Sequence, residues 1–141
     1  MAVHFSATLK IKTPSKSVLK DWIKKLAVSE KREAGNLSFT FCSDEELWQK
    51  NKQFLQHDTL TDIITFDYSE DGTISGEIYI SGERVKENAE KLKIPFQEEL
   101  VRVMAHGVLH LCGYKDKSPI QQKQMRAAEN RAIRLFESLT G

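Results

Sequence analysis

The chain has 141 residues, 40% of them hydrophobic, and its 21 basic and 20 acidic side chains leave a net charge of +1. That length suits one domain around one core, and the balanced charge excludes nucleic-acid binding through a global positive field, though not through a local basic patch. The two cysteines, Cys42 and Cys112, are too few for a disulfide framework and have no CxxC spacing, so they read as reduced, buried thiols. The opening MAVHFSATLKIK alternates polar and apolar residues, so no signal peptide is expected, and no apolar run approaches a membrane span. The expected location is the cytoplasm.

Phe5 to Ile11 alternates with period two and is expected to be a strand. From Ser17 to about Glu33, Leu19, Trp22, Ile23 and Leu26 recur at helical spacing with lysines on the other side, and Gly35-Asn36 is the expected stop. Leu37 to Cys42 follows as a strand. Ser43-Asp44-Glu45-Glu46 has the pattern of a capping box and opens a helix to about Leu55. Ile63 to Tyr68 and Ile74 to Ser81 read as two strands of a hairpin joined through Asp71-Gly72. Helices are expected over Glu83–Leu92, Phe96–Leu111 and from Ser118-Pro119 to Leu139. Interleaved strands and helices with at least one hairpin predict an α+β (mixed α/β) single domain over residues 1–141, with a mixed four-stranded sheet and about five helices.

The stretch that carries chemistry is His106-Gly107-Val108-Leu109-His110-Leu111-Cys112-Gly113-Tyr114-Lys115-Asp116. His106 and His110 are four apart on the predicted helix, so both rings project from one face. Gly113 stops the helix and lets the chain fold back, which brings Asp116 towards the same point. Two imidazoles alone are more often partly buried polar residues than ligands. The third donor beyond a helix-stopping glycine tips the balance to a divalent ion, with Zn²⁺ best suited and Ni²⁺, Co²⁺ or Fe²⁺ compatible. Two His and one carboxylate leave a coordination position open to water or substrate, the pattern of a catalytic site. The spacing follows the metzincin zinc layout with aspartate in place of its third His. The general base of that layout is Gly107 here, which argues against its protease mechanism.

HGVLHLCGY resembles the HGxLHLxGYDH motif of the YbeY family, the bacterial rRNA maturation factors and metal-dependent endoribonucleases. Asp58 to Phe66 resembles the family's D-x-P-T-D-V-L-S-F block, and Gly76 to Ser81 its G-D-[IV]-x-I-[SC] strand. The likeness runs from about Asn36 to Phe136. It implies the family's α/β fold, a metal at the end of the HxxxH helix held by His106, His110 and Asp116, and a single-strand-acting endoribonuclease. It further implies rRNA and the small ribosomal subunit as partners, with a role in maturing the 3′ end of small-subunit rRNA and in ribosome assembly.

Three positions depart from the family pattern. Asp116 stands where most members have His, Leu60 replaces a proline, and Leu55 stands where many members carry an arginine before the block. The missing cation has Lys52, His57 and Lys115 as candidate substitutes. Catalysis is assigned to a water on the metal, with Asp62 and Lys115 as candidate supports; Asp62 is expected mainly to pin a loop or to hydrogen-bond a ligand His. Two other functions fit the residues less well. One is a metal hydrolase of another substrate such as a peptide; the other is a ribosome-assembly factor that binds RNA with little catalysis.

Overall fold

A computed structural model describes residues 2–55 and 61–140, with the side chains of Phe54 and Leu55 excepted. In chain order the elements are β1 (Val3–Ala7), α1 (Lys16–Ser29), β2 (Glu33–Cys42), α2 (Asp44–Leu55), β3 (Ile63–Asp67), β4 (Thr73–Ser81), α3 (Gly82–Leu92), α4 (Phe96–Leu111) and α5 (Pro119–Thr140). The strands form one mixed sheet in the order β1-β2-β4-β3. The β1/β2 and β2/β4 pairs are parallel and β3/β4 is antiparallel. The four strands and five helices match the expected architecture.

Period-two alternation fixes the two faces of the sheet. Leu37, Phe39, Phe41, Ile74, Ile78 and Ile80 point into the main core, where Leu19, Trp22 and Ile23 of α1 and Leu100, Met104 and Val108 of α4 meet them. The other face is covered over Ile64 and Cys42 by Leu47 of α2, in a smaller cluster. Helix α5 packs on α4 and α1, tied down by the Trp22 indole N–H donating to the Ala132 carbonyl at 2.9 Å. Helix α4 is therefore clamped between sheet and α5, and both of its long faces are set by tertiary contacts.

Local signals explain most boundaries. Both arms of the capping box form: the Glu46 amide donates to Ser43 Oγ and the Ser43 amide to Glu46 Oε1, each at 3.1 Å. Asp71 and Gly72 have φ of 48° and 81°, the two left-handed residues a type I′ turn requires, and Glu70 pairs with Thr73 across it.

Three boundaries differ from expectation. Helix α1 stops at Ser29, not near Glu33, because Lys31 adopts φ 61°. The Lys31 and Arg32 amides then close back on the Val28 and Ala27 carbonyls at 2.9 and 2.8 Å. Gly35-Asn36 does not end a helix; it sits inside β2, where the register to β4 slips between Ala34 and Leu37 as a bulge. Strand β1 ends at Ala7, and Leu9 and Ile11, which continued the alternation, instead pack beside Gly82.

Candidate metal centre

Helix α4 ends in a Schellman turn. Cys112 is the cap, Gly113 takes φ 107°, and the Gly113 and Tyr114 amides donate to the His110 and Leu109 carbonyls, each at 3.0 Å. Only glycine adopts that φ without strain. The turn reverses the chain, so that the Tyr114 carbonyl comes back onto His110 and Asp116 onto both rings.

Gly107 has a different task. A Cβ there would lie 2.9 Å from Ile63 Cδ1 and 3.1 Å from Ile78 Cγ2, so its absence lets α4 press against the sheet. Position 107 thus lies against the sheet, and as glycine it brings no side chain to the site.

His106 Nε2 lies 3.2 Å and His110 Nε2 3.5 Å from Asp116 Oδ2. Two ligands about 2.0–2.1 Å from one tetrahedral ion lie roughly 3.3 Å apart, so both separations suit edges of one coordination shell. The three side chains are part-buried, and among the described residues they are the one group of His, Cys, Asp and Glu side chains whose donor atoms converge this closely.

The other ring nitrogens settle what those atoms can be. His110 Nδ1 donates to the Tyr114 carbonyl at 2.9 Å, and His106 Nδ1 meets Glu129 Oε2 at 2.7 Å. A carbonyl and a carboxylate only accept, so each neutral ring carries its proton on Nδ1 and presents a bare lone pair at Nε2. Three acceptors, two imidazole nitrogens and a carboxylate oxygen, then point at one spot. A shared cation removes that conflict, and the donor set fits a divalent ion.

Glu129 has no counterpart in the sequence-based expectations. It is 5% exposed, held by Arg102 at 3.3 Å with Arg126 at 4.0 Å, and its signal was an acid on the buried stripe of α5 beside Met125, Ala128 and Ala132. Burial alone would lower the His106 pKa; the Glu129 hydrogen bond and the Glu129, Asp116 and Asp62 charges outweigh it and raise the pKa. Asp62 is not the partner of either ring. It lies in a cleft on the His106 side, with its pKa raised by burial, against the pull of His106. That cleft, about 360 Å³, runs between α4 and α5 and also takes in Glu99, Arg102 and Arg126. Lys115 is exposed on the opposite flank, in a groove with Thr65, Asp67, His110 and Tyr114. His57, the Asp58–Leu60 segment and the Leu55 side chain lie outside the described residues, and Lys52 sits over the Trp48 ring on α2 at 4.3 Å.

The family model described as "Endoribonuclease YbeY" matches residues 4–137. The chain belongs to the YbeY family. Among relatives carrying that same name, one from Flavobacterium psychrophilum is 52% identical over 116 residues, covering 82% of this chain and 83% of the relative. One from Flavobacterium johnsoniae is 43% identical, covering 95% and 96%; one from Bacteroides fragilis is 49% identical, covering 80% and 81%. A solution structure from Thermotoga maritima superposes with a TM-score of 0.67 at 26% identity, covering 96% of this chain and 89% of that one. No helix among the described residues of this YbeY-family chain is long and apolar enough to cross a membrane.

Proposed function

We propose that this chain is a metal-dependent endoribonuclease that acts on single-stranded rRNA, including the 3′ end of small-subunit rRNA, in the cytoplasm, with the small ribosomal subunit as partner. The observation that carries the reading is the convergence of His106 Nε2, His110 Nε2 and Asp116 Oδ2, with both Nδ1 atoms already committed elsewhere. The name borne by the relatives supports RNA as the substrate. His106, His110 and Asp116 would hold one Zn²⁺ per chain, which supplies Lewis acidity for phosphodiester hydrolysis when bound.

The protein's own residues do the rest. Glu129 and the Tyr114 carbonyl fix the tautomer and tilt of the two rings, which raises their basicity as ligands. Asp62, desolvated in the cleft beside His106, would hold a proton during cleavage; its raised pKa supports that role. Arg126 on one flank and Lys115 on the other offer cations to successive phosphates. With glycine at position 107, the general base that a peptide-cleaving site of this spacing carries there is absent, and this favours RNA over peptide.

The test is a labelled single-stranded rRNA fragment incubated with wild type and with His110→Ala, with and without chelator. Cleavage by wild type alone, abolished by chelator and restored by Zn²⁺, is the expected result. Equal cleavage by both proteins would mean a contaminating nuclease, and no cleavage by metal-loaded wild type would move the reading to an RNA-binding assembly factor.

A further inference from the structure

Helix α4 carries a second polar residue on the face that bears the histidines. Glu99 precedes His106 by seven residues, two turns, and therefore lies about 10 Å away along the axis. It is 5% exposed and lines the same cleft, and its Oε1 has no hydrogen-bond partner among the described residues. An acid in the first turn of a helix is favoured by the dipole, and exposed Glu98 already meets that preference; the dipole does not explain why Glu99 is buried. Arg102, one turn on, is committed to Glu129 and Asn130 at 3.3 and 3.1 Å and leaves Glu99 unserved. A buried acceptor on a cleft wall, with no donor among the described residues, is a group that a ligand's donor can satisfy.

The cleft also indicates what that donor belongs to. Ile63, Val103 and Met125 give it apolar walls, and the acids Glu99 and Asp62 lie on it with Arg126 and with Arg102, which is spent on Glu129 and Asn130. Beside Glu99 itself a phosphate would meet an unpaired carboxyl group, so a phosphate belongs at exposed Arg126. The pocket at Glu99 suits a flat, partly apolar group whose edge carries N–H donors, which is a nucleobase.

We propose that the cleft between α4 and α5 is a base-recognition subsite, in which the Glu99 carboxylate accepts from the adjacent N1–H and N2–H of a guanine next to the scissile phosphate. This rests on the RNA reading given above. Guanine is the one standard base with two neighbouring donors on that edge. Uracil offers one N–H between two carbonyls that a carboxylate repels, and adenine and cytosine each offer a single amino group. The burial that raises the Glu99 pKa also strips it of water, so that a mismatched edge leaves the carboxylate unpaired, the situation in which discrimination is largest.

The experiment measures binding of the four nucleoside 5′-monophosphates, and of inosine 5′-monophosphate, to the zinc-loaded full chain by NMR or calorimetry. Guanosine monophosphate is expected to bind at least about tenfold more tightly than the other three. The inosine nucleotide, lacking the N2 amino group, should fall between, and Glu99→Gln should erase the preference. Equal binding of all five, or a guanine preference that survives in Glu99→Gln, would overturn the proposal. If Glu99→Gln melts early, the guanosine–inosine comparison on wild type decides alone. Metal-dependent cleavage of RNA with no guanine preference would sink this inference and leave the proposed function standing. Guanine-selective binding without cleavage would do the reverse.

Discussion

Asp116 is the residue on which the metal reading is most exposed, because it stands where most family members have His. Its carboxylate already sits 3.2 and 3.5 Å from the two imidazole nitrogens. Asp116→Asn replaces an anionic donor by a neutral amide and should lower zinc content and affinity; Asp116→His should restore most of it. Zinc bound by Asp116→Ala as well as by wild type would remove this residue from the ligand set. Glu129 gives an independent handle, since it touches the ring of His106 and not the site of the ion. Loss of such a partner typically costs 10–100-fold in metal affinity. Glu129→Gln keeps a hydrogen bond and fills the buried space, so it should lower affinity with a small change in melting temperature, whereas Glu129→Ala also strands Arg102 and should lower both. Competition against a zinc-sensitive dye reads the first quantity and thermal melting the second. The cysteines belong to the same scale for the opposite reason. Burial first, and then the neighbouring acids Glu46 and Glu30, push both thiols up to about 11, so at pH 8 only about one in a thousand is thiolate. Alkylation of the native protein should therefore be slow at both and become fast in denaturant; rapid native labelling of either would show that its burial is wrong.

At the level of elements, the approach of α4 to the sheet sets where the histidines stand. Gly107 permits that approach, so Gly107→Val drives methyl groups into Ile63 and Ile78. Overpacking of this kind costs about 1–3 kcal/mol, and valine's gain in helix propensity over glycine, a few tenths of a kcal/mol, does not offset it. Urea denaturation should show the loss, and a midpoint equal to wild type would mean that the interface is loose. The same helix shows which features the sequence made legible. The capping box of α2, the I′ turn between β3 and β4, and the stop at Gly113 were all readable, because each is decided by side chains within a few residues of one another. The stop of α1 was not: Lys31 takes a left-handed φ that lysine does not prefer, and no glycine or asparagine stands there to announce it. Leu9 and Ile11 kept a strand's alternation because they still cover an apolar surface, that of α3. Of the site, the three ligand candidates were legible from spacing. Glu129 was not, since its role exists only once α5 lies across α4, 23 residues on in sequence. The Tyr114 carbonyl was invisible for another reason: a backbone acceptor has no residue type to announce it.

Across the whole molecule the charges nearly cancel, at +1, so RNA is not drawn in by a field over the surface. Any electrostatic grip must be local, and the two clefts beside the ligand triad each carry a cation that could supply one. Arg126 lies on the His106 side of the ligand triad and Lys115 on the His110 side, so a strand crossing the site would pass one cation before the metal and one after it. Single-stranded RNA releases counterions for each phosphate neutralised, and the logarithm of the binding constant falls with the logarithm of salt by roughly 0.7 per contact. Two such contacts predict a slope near −1.4, far shallower than that of a protein with a broad basic face. Arg126→Ala and Lys115→Ala should each make the slope about 0.7 shallower, and the double variant should leave almost none from side chains. Both residues are exposed and neither is a ligand; Arg126 gives up only a 4.0 Å solvent-exposed contact to Glu129, which Arg102 still holds, so zinc content and melting temperature should stay close to wild-type values in all three. Fluorescence anisotropy of a labelled single-stranded oligonucleotide, titrated at several salt concentrations with the zinc-loaded protein, gives the slopes directly. A steep wild-type slope that survives both substitutions would place the RNA path on another face, with the lysine-rich surface of α1 the first to test. A wild-type slope near −1.4 that falls only in the Arg126 variant would put the strand in the cleft between α4 and α5 and leave Lys115 in solvent.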